Sequence, residues 1–319
     1  MVERVYLDQN KWINLVREHK QSDGQTRLVQ FKSMDEVVCP LSYVHLMETA
    51  SAPHERQADE MFDWMIELSQ NQTIAPQFTV ENEEIRNVVN ELLGNESSMD
   101  GKVFGEGLPF VLGGRHYDIE TETVELSDDH RNELLAAVER EEATRMALES
   151  DEVRDTFATR KHENVGLEEV ERVREKNEQR FDDNTTRRKH SVVEYFQSRI
   201  TPKFMSHLLN EVEPSDLQDM NHDIPMERLE SIDYAYEWMQ KFPCVFTFAS
   251  LGTMRDMQKQ RDIKPNDIND LMALSVAIPY CDVVVTEKFW TNLSKQVSLG
   301  SLYDTHVTAN IDSAIDHLS

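Results

Sequence analysis

Only three cysteines, Cys39, Cys244 and Cys281, occur in the 319 residues, none in a C-x-x-C pair and each in an apolar context. That excludes a disulfide framework and a cysteine-rich zinc site, and it predicts buried free thiols in a reducing compartment. No apolar run approaches the roughly 20 residues that span a bilayer, and the N-terminus opens as a strand rather than as a charged stretch followed by a signal core. A soluble, cytoplasmic protein without a membrane partner is expected. Positive charge is scarce as well, with 33 Lys and Arg against 60 Asp and Glu, for a net charge of −27. The acids are spread along the whole chain instead of forming a tail, which reads either as a solvated acidic surface of the halophilic type or as a generally acidic cytosolic protein. Such a surface repels nucleic acid at low salt. At about 1 M salt the Debye length is only about 3 Å, so acidity does not exclude an RNA substrate.

Glycine and proline are sparse and unevenly placed. Six of the ten glycines lie between Gly94 and Gly114, which predicts a loop there, with Leu108 to His116 packing as a small lid. After Pro109 no proline occurs until Pro202, and residues 128–200 are rich in Glu, Arg, Ala and Leu. That composition predicts long helices, opened by Ser127 or Asp128 and interrupted near Asp182-Asp183-Asn184. The two ends of the chain differ from this middle. Residues 4–52 read as strand, helix, strand, helix: Val5 to Leu7, then Trp12, Leu15, Val16 and His19 at helical spacing, then Val37 to Leu41, then a helix capped by Ser42. The C-terminal end reads as helices over Pro243–Met257 and Asn266–Ile278, a strand over Cys281–Thr286, a last strand over Leu302–Val307 and a final helix over Asp312–Leu318. The expected architecture is α/β: one discontinuous domain of residues 1–54 and 241–319 with a parallel sheet flanked by helices, and a mainly helical insertion of residues 55–240.

Acids stand where such a sheet would gather them. In open α/β sheets ligands bind beyond the carboxyl ends of parallel strands, so acids remote in sequence can converge there. Asp8 ends the first strand, and its bland alternative is a helix cap shared with Asn10. Glu48 follows Val44 and Met47 on the inward face of its helix, where a carboxylate is costly to desolvate without a cation. Asp270 precedes the buried stripe Ala273, Leu274 and Ala277, with Asp267 as a competitor that serves equally well as a cap. Thr286-Glu287 ends the Val283-Val284-Val285 strand. Asp282 opens that strand, about 16 Å away at about 3.3 Å per residue, so Glu287 is the better crevice candidate. Lys11 adjoins the site and could meet a phosphate, although a helical residue at that position more often points to solvent. His45 reads as a packed core histidine. The cluster Arg187-Arg188-Lys189 is unusual in so acidic a chain and is a weak nucleic-acid candidate, the alternative being a solvated helix face.

These segments resemble the four motifs of the PIN-domain nucleases, a family with a parallel sheet flanked by helices. Asp8-Gln9-Asn10 fits the D-x-N that ends the first strand, Glu48 fits the Glu on the helix after the second, and Asp270 through Ala277 fits the Asp that opens a later helix. Thr286-Glu287 resembles the last motif but departs from its usual T-x-D. The resemblance covers about 130 residues at the two ends and says nothing of the insertion. It implies a metal-dependent endoribonuclease in which Asp8, Glu48, Asp270 and Glu287 hold Mg²⁺ or Mn²⁺, with Asn10 and Thr286 orienting them. Clustered oxygen donors without paired His or Cys suit such hard cations, which can activate a water for phosphodiester hydrolysis. The implied partner is RNA, cut to leave a 5′-phosphate and a 3′-hydroxyl. A toxin-type RNase of a toxin-antitoxin pair would use the same site. A non-catalytic interaction scaffold, in which the helical insertion binds a protein partner, belongs to a different class, and the sequence also leaves room for a homo-oligomer.

Overall fold

The computed structural model describes residues 2–22, 25–51, 55–113, 140–150, 175, 180, 183–211, 231–258, 260–264 and 266–319. It falls into two compact units, one of Met1–Pro76, Gly101–Glu163 and Tyr280–Ser319, the other of Gln77–Asp100 and Asn164–Pro279.

The first unit is α/β. Strand β1 (Glu3–Leu7) leads to helices α1 (Gln9–Gln21) and α2 (Arg27–Lys32), then to β2 (Val37–Val38), α3 (Tyr43–Ala50) and α4 (Glu55–Ser69). Strands β3 (Gln72–Ile74) and β4 (Phe104–Glu106), helix α5 (Gly107–Val111) and helix α6 (Glu141–Glu149) follow. The unit closes with β5 (Val283–Val285), α7 (Lys288–Gln296), α8 (Leu299–Tyr303), β6 (His306–Thr308) and α9 (Ile311–Leu318). Four strands form one parallel sheet in the order β2-β1-β5-β6. Val5, Tyr6 and Leu7 pair with Val283, Val284 and Val285, and all six side chains are buried. Unbroken apolar runs of this kind are what a parallel sheet covered by helices requires. Over the sheet pack Trp12, Leu15 and Val16 of α1, Leu28 and Phe31 of α2, Met61 and Met65 of α4, and Ile311 and Ala314 of α9. Burying a side chain of this kind stabilises the fold by about 2 to 3 kcal/mol.

Several local expectations are corrected. Strand β2 stops at Val38 because the backbone then turns to other partners: Cys39 N–H donates to Leu68 O at 2.9 Å and Leu41 N–H to Gln72 O at 3.0 Å, while Pro40 between them has no N–H to give. The glycine-rich stretch holds a strand and a helix, since β4 pairs antiparallel with β3. The segment expected to form a lid is instead part of the core, with Val111 fully buried and Leu108 and Leu112 packed on the sheet's helices; Gly114, Arg115 and His116 lie outside the described residues. Residues 299–303 are helical, bounded by Ser298 and Asp304 at φ of 57°, and β6 begins only at His306. Gly300 permits this compact turn, since a Cβ there would come within 2.8 Å of the Thr305 carbonyl oxygen.

The second unit is helical in its described residues, with helices Gln77–Leu92, Asn184–Tyr195, Thr201–Glu211, Ile232–Trp238, Pro243–Asp256 and most of Asn266–Tyr280. Phe196, Phe204, Trp238 and Phe242 form its aromatic centre, with ring centroids 5.1 to 6.3 Å apart. Asp183 caps the Asn184 helix by accepting from Thr185 and Thr186 N–H at 2.9 Å, while Ser127 and Asp128 lie outside the described residues. The unit boundaries differ from the expected domains. Residues 55–76, 101–113 and 140–150 belong with the sheet, and the Pro243–Asp256 helix, buried on nearly every side, packs against the Gln77–Leu92 and Asn184–Tyr195 helices. A helix that is apolar all round belongs inside a bundle rather than over one face of a sheet. Among the described residues no helix is long and apolar enough to cross a membrane.

Candidate functional site

The site follows from strand order. From β1 the chain moves outward to β2 on one side, returns to pair β5 on the other side of β1, and moves outward again to β6. The order therefore reverses between β1 and β5, and the crevice beyond the carboxyl ends of those two strands is where an open α/β sheet receives its ligand. Leu7 pairs with Val285, so the next residues, Asp8 on one strand and Thr286-Glu287 on the other, emerge side by side. Asp8 N–H still donates to Val285 O at 2.9 Å, which fixes this juxtaposition through the backbone.

Asp8 is only 6% exposed. It occupies the N-cap of α1 but its side chain makes no cap hydrogen bond. Its Oδ2 instead accepts from Thr286 Oγ1 at 3.0 Å. Burial raises the pKa of this carboxyl, the nearby Glu287 charge raises it further, and the Thr286 hydroxyl, the Gln9 backbone N–H and the Lys11 ammonium oppose the rise. Glu287 is held from the other side, where Asn10 Nδ2 donates to its Oε1 at 2.5 Å. Lys11 is half-buried rather than pointing to solvent: its Nζ donates to Ala309 O at 2.7 Å, and burial lowers its pKa against the opposing pull of Asp8 and Glu287. Five of the expected residues, Asp8, Asn10, Lys11, Thr286 and Glu287, are thus brought together.

Helix α3 carries Glu48 to the same end of β1. Ser42 caps it by accepting from His45 N–H at 3.3 Å, and His45 Nδ1 accepts in turn from Ser42 N–H at 3.2 Å. That leaves the ring proton on Nε2, which donates to Leu7 O at 2.7 Å, the last carbonyl of β1. His45 is fully buried, stacks on Tyr6 with centroids 4.9 Å apart, and has its pKa pushed down to about 4 by desolvation, as a core histidine. A second tie, from Gln9 Nε2 to Thr49 Oγ1 at 2.8 Å, joins α3 to the residue after Asp8. Glu48 lies between these two anchors on α3 and is half-buried. Gln9 was missed in the sequence, where it stands only as the variable position of D-x-N.

The remaining expected residues belong to the helical unit. Asp267 is 2% exposed and lies inside the first turn of its helix rather than capping it. Its carboxylate is gripped by Arg261 Nη1 at 2.5 Å and Nη2 at 2.7 Å, and also accepts from Lys264 N–H at 3.0 Å. Asp270, one turn on, is half-buried. Of the basic cluster, Arg187 is buried, Arg188 is half-buried, and Lys189 reaches Asp233 at 2.5 Å, so the cluster does not present a bare cationic face.

Among the described residues no group of three or more His, Cys, Asp or Glu is placed to hold a metal ion. The pair at the crevice nevertheless has donor chemistry that fits a hard divalent cation: two neighbouring carboxylates, one of them raised in pKa by its burial and further by the other, with a hydroxyl and an amide orienting them. No protein-family model, curated protein or solved structure matches this chain.

Proposed function

We propose that this protein is a metal-dependent endoribonuclease of PIN-like construction, hydrolysing RNA phosphodiester bonds at the crevice between β1 and β5. The observation that carries the reading is the meeting of Asp8, Thr286, Glu287 and Asn10 at the one point where the strand order reverses. A carboxylate that is buried, raised in pKa and not used as a cap is costly to keep for structure alone, and such groups mark functional sites.

Asp8 and Glu287 would hold Mg²⁺ or Mn²⁺, with Glu48 of the same unit as the further ligand that the PIN resemblance assigns. When bound, the ion lowers the pKa of a water and stabilises charge on the leaving oxygen. Thr286 and Asn10 fix the two carboxylates in rotamer without adding charge, so that the donors are set before substrate arrives. Lys11, beside both acids, offers its ammonium to a phosphate oxygen of the strand. His45 and Gln9 hold α3 against the end of β1 and act through position alone.

The test is cleavage of a mixed pool of labelled RNAs and DNAs by the wild type and by Asp8→Asn, with Mn²⁺ or Mg²⁺, in low and in molar KCl. RNA cleavage that requires the metal and falls by at least about 100-fold in the variant is expected. No cleavage by folded wild type under any of these conditions would move the reading to a non-catalytic scaffold.

A further inference from the structure

A pocket of about 580 Å³ opens beside the carboxylate site, walled by α1, α2 and the residues between β6 and α9. Its lining includes Lys11, Asn14, Arg17 and Arg27, with Glu18 as its one acid. In a chain with 60 acids and 33 Lys and Arg, a concave surface with three cations and one acid is a sharp local reversal. The cations are not equivalent. Arg27 is engaged with Glu18, its Nε donating at 2.8 Å, and reaches Asp312 at 3.6 Å. Arg17 is exposed, and among the described residues it has no acidic partner. Lys11 forms the wall shared with the site, its Nζ anchored on Ala309 O while its charge is felt by both Asp8 and Glu287.

We infer that this pocket seats a phosphate-bearing nucleotide of the substrate strand next to the one cut, with Arg17 and Lys11 facing its phosphate. The inference rests on the nuclease reading and adds to it the direction in which the strand leaves the site, along α1. The volume lies within the roughly 300 to 1,000 Å³ of small-ligand sites and holds about one nucleotide. An otherwise acidic protein that binds a polyanion needs one place where the field changes sign, and a pocket focuses such a field more than a convex patch does.

The test separates the pocket from the chemistry. A labelled single-stranded RNA is titrated in EDTA into the Asp8→Asn protein, which binds without cutting, and then into the same protein carrying Arg17→Gln or Asn14→Glu. Both positions are exposed, so unchanged melting temperatures are expected. Each change should weaken binding by about three- to tenfold, and Arg17→Gln should lower the slope of log Kd against log salt by about 0.7, the amount of one phosphate contact on a single strand. Competition with a 5′-mononucleotide distinguishes a strand from a free nucleotide: millimolar competitor should displace little RNA, and displacement at micromolar concentration would overturn the strand assignment. No RNA binding by the Asp8→Asn protein, or an affinity and salt slope unmoved by both changes, overturns the inference. Metal-dependent cleavage by the wild type alongside that result would leave the nuclease reading standing, whereas weakened binding alongside a wild type that cuts nothing would remove the nuclease and keep the pocket.

Discussion

The two units bury acidic side chains in opposite ways. In the helical unit three of the four acids buried among the described residues have a basic partner, and the fourth, Glu84, has backbone N–H donors at a helix N-terminus. Asp267 has both terminal guanidinium nitrogens of Arg261, and Glu84 accepts from Cys244 N–H at 2.6 Å at the positive end of the Pro243–Asp256 helix. Glu81 pairs with Lys203 and Gln77, and Glu83 with Arg86. In the sheet unit, Asp8 is also buried but has one side-chain donor, a hydroxyl, and faces a second carboxylate, while the nearest ammonium is anchored on a carbonyl. Burial of an acid therefore does not by itself point to function. What points to it is burial beside a second carboxylate with no cation paired to either, because the fold stabilises that arrangement less well than a paired one.

The contrast breaks most directly through its two aspartates. Replacing Asp267 by Asn removes the charge that Arg261 and the Lys264 N–H are arranged around, and should cost about 3 kcal/mol of unfolding free energy. Asp8→Asn, measured without metal in matched KCl, should cost nothing and should raise the melting temperature, since the amide still accepts from Thr286 and no longer meets the Glu287 charge. Mn²⁺ should then stabilise the wild type and not Asp8→Asn. Equal losses from the two substitutions would mean that Asp8 is an ordinary structural acid.

The same contrast explains what could be read in advance. Asp8, Thr286 and Glu287 were legible because a buried parallel strand is an unbroken apolar run, and the first polar residue after Leu7 or Val285 must lie at its carboxyl end. Their pairing across 277 intervening positions was legible only through the order of the motifs. The sequence makes β2 too long because the partners that draw Cys39 and Leu41 away are Leu68 and Gln72, distant in sequence. The apolar run Leu302-Tyr303 looked like a strand because nothing local announces left-handed Ser298 and Asp304 on either side of a helical turn. The sequence assigns the Pro243–Asp256 helix to the sheet because composition gives its burial and not its neighbours. Arg261 as the partner of Asp267 was equally hidden, six residues away across a turn.

A smaller effect should appear with pH at His45. Its folded pKa of about 4 lies below the ordinary 6.5, so between these values the unfolded chain binds the extra proton and the folded chain does not. The stabilising contribution is then complete above about pH 6.5 and is lost as pH falls toward 4. By pH 4.5 the loss is about 2.5 kcal/mol, at about 1.36 kcal/mol per pH unit. Acidification also relieves repulsion in a chain of net charge −27, which acts in the opposite direction. The informative quantity is therefore the difference between wild type and His45→Gln in urea unfolding at pH 7 and pH 4.5. The variant should be the less stable at pH 7, and the gap should narrow by about that amount at pH 4.5. A gap independent of pH would mean that folding does not lower the pKa of the ring.

The finest test concerns the hydroxyl that holds Asp8. Valine has nearly the shape of threonine, so Thr286→Val removes the bond from Oγ1 to Asp8 Oδ2 and little else in a fully buried position. With an ionised acceptor the loss should be about 1 to 2 kcal/mol at neutral pH. In the Asp8→Asn background the acceptor is neutral, and a neutral bond is roughly half as strong, so the same substitution should cost about half as much. A double-mutant cycle at pH 8 measures the difference. If Thr286→Val costs the same with Asp8 or Asn, the hydroxyl is only filling space, and the orienting role assigned to it at the crevice falls.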